Sequence, residues 1–361
     1  MKLLYDLSLQ ELTEHIKSIN EKPYRAKQVY DAVIAGKNAA EISNIGKELA
    51  QKLSESFVFQ PFTIEKALTS KDGTKKYLLK AFDGQFIECV LMSYEYGSTI
   101  CISTQAGCKM NCVFCASAKG GFIRDLSAGE MLAQIITVNR DIGGNKTDRK
   151  ITNVVLMGSG EPLDNYENTV KFIRLANAKE GLNISQRNIS LSTCGIVPNI
   201  YKLADEGLSV NLTVSLHFTD DSLREKYMPV SKSYKIADVL KAAMYYFNKT
   251  KRRFIIEYTL IGGVNDGSAD SDALAVLLKG MPCHVNLIRL NDISHTEDGR
   301  RAGVAAPYGL TGSADKTAYR FLGELEKKGI SASVRRRLGE DICGACGQLL
   351  AKFIEGNKSK G

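Results

Sequence analysis

The sequence predicts an α/β fold: a partial (β/α)6 barrel, with a small helical N-terminal accessory domain before it and a C-terminal extension after it. Three observations carry this reading. From residue 99 onward, short apolar runs alternate with helix-period patterns, which implies parallel strands joined by right-handed crossovers. Ahead of them stand three helix patterns within the first 57 residues. The chain has 361 residues and is 44% hydrophobic, enough for one large domain with a sizeable core and a smaller companion.

The elements follow in order. Ser8 and Glu11 make a capping box ahead of a helix with Leu12, Ile16 and Ile19 on one face. A second helix fits Arg25–Ile34, after Pro23 and before a stop at Gly36, and a third fits Lys47–Phe57. The turn Ser70-Lys71-Asp72-Gly73 opens strand-like runs at Lys76–Ala81 and Phe86–Tyr94. Barrel strands are expected at Thr99–Thr104, Asn153–Met157, Asn188–Ser192, Asn211–Leu216, Phe254–Ile261 and Val285–Leu290. Helices are expected near 127–141, 166–179, 198–206, 235–249 and 268–279, the first opened by a Ser127/Glu130 capping box. A last helix at 314–328 and a strand at Ser331–Arg336 complete the pattern. The domains are therefore drawn at 1–85 and 86–350, with a flexible polar tail at 351–361.

Charge narrows the partners. There are 48 basic and 40 acidic residues, a net charge of +8, with clusters at Lys251-Arg252-Arg253, Arg300-Arg301 and Arg335-Arg336-Arg337. One such cluster is most often a solvated face; three on a positive chain tilt toward nucleic acid. No apolar run approaches the roughly 18 residues of a membrane span, and Asp6 interrupts any secretory core. A cytoplasmic protein without a membrane partner is expected, and its nine cysteines are not expected to form a disulfide framework.

Those cysteines are unevenly placed. Cys89, Cys194 and Cys283 read as small buried hydrophobes, whereas Cys343 and Cys346 lie together near the end. The run Cys108-Lys109-Met110-Asn111-Cys112-Val113-Phe114-Cys115 follows the first barrel strand, on the side where parallel α/β sheets place active sites. Structural zinc asks for four ligands, and no second pair follows at finger spacing. Three thiolates on a [4Fe–4S] cluster leave one iron open. This spacing on a barrel loop resembles the radical S-adenosylmethionine (SAM) superfamily.

Later strand ends carry polar groups that suit SAM. They are Gly160 and Glu161 in Gly158-Ser159-Gly160-Glu161-Pro162, then Ser192, then Ser215-Leu216-His217, then Asn291. Glycine allows close backbone approach, and a carboxylate accepts hydrogen bonds from the methionyl ammonium. Each motif alone is an ordinary turn or a structural histidine; four strand ends converging on one mouth are harder to explain that way.

The resemblance becomes specific when these are joined to Cys101, to Tyr24-Arg25-Ala26-Lys27-Gln28, to His284-Val285-Asn286-Leu287-Ile288 and to Ala345-Cys346-Gly347-Gln348-Leu349. Together they resemble the RlmN family of dual-specificity RNA methyltransferases, from the N-terminal element to Leu349. The resemblance implies methylation of adenosine carbon 2 in 23S rRNA at the peptidyl-transferase centre and in tRNA beside the anticodon. It implies a [4Fe–4S] cluster on Cys108, Cys112 and Cys115, two SAM molecules per turnover, and an electron donor such as flavodoxin or ferredoxin. It implies a monomer whose residues 1–85 help bind RNA.

The same resemblance implies the residue roles. Carbon 2 is electron-poor and cannot attack a SAM methyl group, but a thiolate can. Cys346 would take the methyl group first; a radical made from the second SAM would then draw hydrogen from it, and the carbon radical would add to the base. Glu88 would take the ring proton, and Cys101 would release the RNA by attacking the Cys346 sulfur to form a disulfide. Ser159 and Arg289 stand where carbon-2 enzymes of this family more often have methionine and proline, and Arg289 resembles the carbon-8 relative Cfr, whereas Pro162 points to carbon 2. Carbon-8 methylation and a non-catalytic metal-containing RNA-binding module are the rival readings; the module would need neither Cys101 nor Cys346.

Overall fold

The computed structural model describes residues 2–291 and 309–344; the tail at 351–361 and the Arg300-Arg301 cluster lie outside them. One ten-stranded sheet organises the chain. Its strands are β1 (Phe62–Thr69), β2 (Lys75–Ala81), β3 (Phe86–Tyr94), β4 (Gly97–Cys101) and β5 (Ile151–Leu156). They continue as β6 (Ile189–Thr193), β7 (Asn211–Ser215), β8 (Phe254–Leu260), β9 (Cys283–Arg289) and β10 (Ala332–Val334). The strands lie side by side in chain order. β1 to β4 form an antiparallel meander, and β4 to β10 run parallel. Among the described residues the ribbon does not close, and β1 and β10 are its two edges.

Three helices precede the sheet, α1 (Leu9–Ser18), α2 (Tyr24–Ile34) and α3 (Lys47–Ser56). Six more make the crossovers and the last return: α4 (Ala128–Asp141), α5 (Tyr166–Asn177), α6 (Val197–Asp205), α7 (Ile236–Thr250), α8 (Ser268–Leu278) and α9 (Asp315–Lys327). Both expected capping boxes form, at Ser8/Glu11 and Ser127/Glu130. The alternation seen in the sequence is the alternation in space.

Strand residues point to opposite faces in turn. On one face Val154, Leu191, Leu212, Val214, Ile256 and Val285 are fully buried in one core with residues of the surrounding helices. The other face carries Thr99, Ser192, Thr213, Ser215, Glu257 and Asn286, adjacent across the register from β4 to β9. Parallel strands are usually apolar on both faces. Here the inner face is polar because it lines the mouth of the barrel.

Two details differ from expectation. The first barrel strand ends at Cys101 rather than Thr104, because the chain turns out of the sheet and Gln105–Gly107 pairs with Phe122–Asp125 instead. β1 has no counterpart in the sequence reading; it is an exposed edge strand with a bulge between Ile64 and Lys66, which breaks the period-two signal. The N-terminal helices end at Ser56, and residues 62–81 already belong to the sheet.

Arg224 holds the mouth in shape. It is completely buried, and its guanidinium donates to Cys194 O at 2.7 Å, Leu216 O at 3.0 Å and Ser215 O at 3.2 Å, which are carbonyls at the ends of β6 and β7. It also donates to Ser231 Oγ at 2.8 Å. Arg224→Met removes these donors and leaves several buried acceptors unpaired, each worth about 1–3 kcal/mol. Urea unfolding should show a loss of about 3 kcal/mol or more. A change within about 1 kcal/mol would mean that water replaces the guanidinium.

Candidate active site

The ends of the parallel strands enclose a cleft of about 950 Å³. The cysteine loop forms one wall. Its neck is the antiparallel pair Gln105–Gly107 and Phe122–Asp125. At Gly107 φ is +78°, and a Cβ would stand 1.8 Å from Gly121 O, so only glycine lets the two arms meet. The Cys108 N–H then donates to Gly121 O at 3.0 Å, and the Val113 N–H ties the loop to Tyr227 O at 2.9 Å. Held this way, Cys108, Cys112 and Cys115 all line the cleft.

Opposite them stands Glu161. Gly160, at φ +104°, brings the chain so close to Gln105 that a Cβ would meet its backbone nitrogen at 2.7 Å. The Glu161 carboxylate is buried and accepts the Cys194 N–H at 2.8 Å and the Leu163 N–H at 3.0 Å. Burial raises its pKa, and those bonds oppose the rise. His217 also faces the cleft, with its ring edge-on to Phe114 at 5.2 Å. Its Nδ1 accepts the Thr259 N–H at 3.1 Å, and burial lowers its pKa to about 3. It is a neutral imidazole, with Nε2 as its N–H.

Ser192, Ser215 and Asn291 line the same cleft, as the sequence reading requires. Leu216 does not; its side chain lies in the hydrophobic core, and its N–H donates to Glu257 O at 3.1 Å. Sequence reasoning missed Glu257. Its Oε2 lies 3.5 Å from both Ser192 Oγ and Ser215 Oγ, and its Oε1 accepts from Arg335 Nη1 at 3.1 Å. The signal was present: a lone carboxylate within the apolar strand Phe254–Leu260 has to be buried, and buried charge needs a partner.

Cys101 occupies an adjoining compartment of about 620 Å³, which shares Met157, Ile288 and Asn291 with the main cleft. Arg289, Arg335, Arg336 and Arg337 line it, as does Gly344. Burial pushes the Cys101 thiol up to about 11, against the pull of the Arg335 charge. Glu88 lies two residues before Val90, the register partner of Cys101, and so on the same face of the sheet. It forms a buried ion pair with Lys76, Nζ to Oε1 at 2.8 Å. Cys346 lies outside the described residues.

The residues fit the groups expected of them. Three thiolates would each hold one iron of a [4Fe–4S] cluster and leave the fourth iron open. Three cysteines on one pinned loop, lining a cleft of this size, match that donor set. Among the described residues no three His, Cys, Asp or Glu side chains close around a single ion. The same cleft offers Glu161, Ser192 and Ser215 as converging polar groups, which suit the polar methionyl end of SAM.

Comparison with known proteins agrees. The radical SAM superfamily model matches residues 102–274, and the ribosomal RNA large subunit methyltransferase N-terminal domain matches residues 3–59. A probable dual-specificity RNA methyltransferase RlmN of Clostridium perfringens (strain 13) is 46% identical, over 100% of this chain and 99% of its own. Another of that name, from Clostridium botulinum (strain Eklund 17B), is 47% identical over the whole of both chains. The crystal structure of a radical SAM methyltransferase from Sphaerobacter thermophilus superposes with a TM-score of 0.90 at 39% identity, covering 98% of this chain and 100% of that one. Matched from end to end at this level, the chain belongs to the RlmN family of radical SAM RNA methyltransferases.

Proposed function

We propose that this protein methylates carbon 2 of adenosine in 23S rRNA at the peptidyl-transferase centre and in tRNA beside the anticodon. In this reading it works as a cytoplasmic monomer, consumes two SAM per turnover and draws electrons from a flavodoxin or ferredoxin. Among the described residues no helix is long and apolar enough to cross a membrane. The observation that carries the reading is the compartment shared by Cys101 and Gly344, which opens on the cleft. Cys346 follows Gly344 by two residues, about 7 Å of extended chain. In this reading Cys346 serves both the cleft and Cys101.

The chain's own residues divide the work. Cys108, Cys112 and Cys115 would hold the cluster, which when bound supplies the electron for reductive cleavage of SAM. Gly160, Glu161, Ser192, Ser215, the Leu216 backbone, His217 and Asn291 orient SAM in the cleft. Neutral His217 offers Nε2–H without bringing a second positive charge toward the sulfonium. Cys346 accepts the methyl group, Glu88 accepts the ring proton, and Cys101 attacks the Cys346 sulfur to release methylated RNA. Residues 1–85 and the arginines around Cys101 serve the RNA backbone. The target base has to leave its stack to enter. Arg289 lines the Cys101 compartment, which keeps carbon-8 methylation as the second reading.

Replacing any one of Cys108, Cys112 or Cys115 with alanine should abolish the visible thiolate-to-iron absorbance of anaerobically purified protein, together with SAM cleavage. Iron-free protein that still methylates RNA would overturn the cluster assignment. Nucleoside mass spectrometry of rRNA and tRNA, with and without the protein, should show 2-methyladenosine; 8-methyladenosine instead would favour the second reading. Cys101→Ala should trap a covalent, RNase-sensitive enzyme–RNA adduct on denaturing gels, and Cys346→Ala should form none. Because Cys343 is also a buried thiol, the Cys101→Ala/Cys343→Ala variant belongs in the comparison. Normal release from that double variant would rule out resolution through a disulfide.

A further inference from the structure

The turn between β1 and β2 grips the segment that leads to Cys346. Ser70 Oγ donates to Asp341 Oδ1, and the Lys71 N–H donates to Asp341 Oδ2 at 3.2 Å. Asp72 Oδ2 accepts the Gly339 N–H at 2.8 Å. Gly339 has φ +66°, and a Cβ there would meet Thr74 Cγ2 at 2.9 Å, so the segment lies directly on the turn. Just beyond, on β2, Lys76 Nζ reaches Glu88 Oε1 at 2.8 Å and Cys343 O at 3.3 Å. The Lys76 and Glu88 side chains are only 8% and 6% exposed. One ammonium touches both the carboxylate and the backbone three residues before Cys346.

Away from water, an ammonium and a carboxylate keep their charges only by sharing them. We infer that Lys76 is a positioning residue: it holds Glu88 in the ionised form and ties it to the Cys343 carbonyl, so that one side chain fixes the base in place. The inference rests on the roles proposed above for Glu88 and Cys346. The radical adduct would first give its odd electron back to the cluster that supplied one for SAM cleavage; the ring C–H bond then breaks, its electron pair stays in the ring, and the proton goes to Glu88. A carboxyl group that is already protonated cannot receive it. Loss of Lys76 therefore blocks release of product while leaving the earlier steps in place.

The test uses full-length, cluster-loaded enzyme with its RNA. Lys76→Met should still transfer methyl to Cys346 and cleave SAM, but should accumulate the covalent adduct. Release of methylated RNA should fall about a hundredfold, the lower end of what a placed acid–base group supplies. Lys76→Gln keeps a donor for Cys343 O and removes only the charge; it should stall in the same way even if Lys76→Met does not fold. Lys76→Arg should restore most of the release. Glu88→Gln is the reference, and adding it to Lys76→Gln should cost nothing further, because the two act as one unit. In infrared difference spectra, the carboxylate band lost in Glu88→Gln should also be lost in Lys76→Gln. If Glu88→Gln releases RNA normally, Glu88 is not the base and the inference fails with that reading. If Glu88→Gln stalls while Lys76→Gln releases RNA normally and keeps the carboxylate band, the role of Lys76 alone is overturned.

Discussion

A guanidinium buried away from water holds the mouth of this barrel in shape. The parallel strands end in carbonyl groups that have no further strand to bond, and these ends are where the site has to be built. Arg224 gathers the carbonyls of Cys194, Ser215 and Leu216 around one planar fork. Ser192, at the end of β6, is thereby fixed relative to Ser215 and His217, at the end of β7. The Glu161 carboxylate completes the tie from the other side by bonding the Cys194 N–H. One segment, residues 193–195, is thus held by a cation through its carbonyl and by an anion through its amide.

The inner face of the sheet follows from this need for polar anchors. Glu257, in the middle of β8, shares hydrogen bonds with Ser192, Ser215 and Arg335 at three other strand ends, so a carboxylate that would be costly alone is satisfied within a network. The apolar outer face meets the helices and carries the hydrophobic stabilisation. Division of labour between the two faces lets a polar cavity sit inside a stable core. The antiparallel strands β1 to β3 extend the same sheet and set the Lys76–Glu88 ion pair beside the Cys343 carbonyl.

Much of this was legible in the sequence because the physical signals were local. Helix periods, capping boxes at Ser8 and Ser127, and six strand-length runs place nearly every barrel element within a few residues. The cysteine spacing and the polar strand ends mark the cleft. What escaped depends on tertiary contact. β1 is exposed and bulged, so it has no alternating pattern to find. Leu216 reads as part of a polar strand end, yet parity turns its side chain into the core. Arg224 and Lys76 look like ordinary surface charges in one dimension, and only burial beside particular partners makes them otherwise.

The strict side-by-side order of the strands has a consequence for how the chain is made. Each new strand docks on the one before it, so the barrel can grow in the direction of synthesis, unit by unit, with few long loops to close early. The grip of the Ser70–Thr74 turn on residues 339–341 is the opposite case, spanning 267 to 271 positions. It forms only after residue 341 has been made. A ribosome-bound nascent chain would therefore hold the strands of the cleft, and the turn itself, before residues 339–341 exist to dock on it, which makes this segment the last of these elements to be placed.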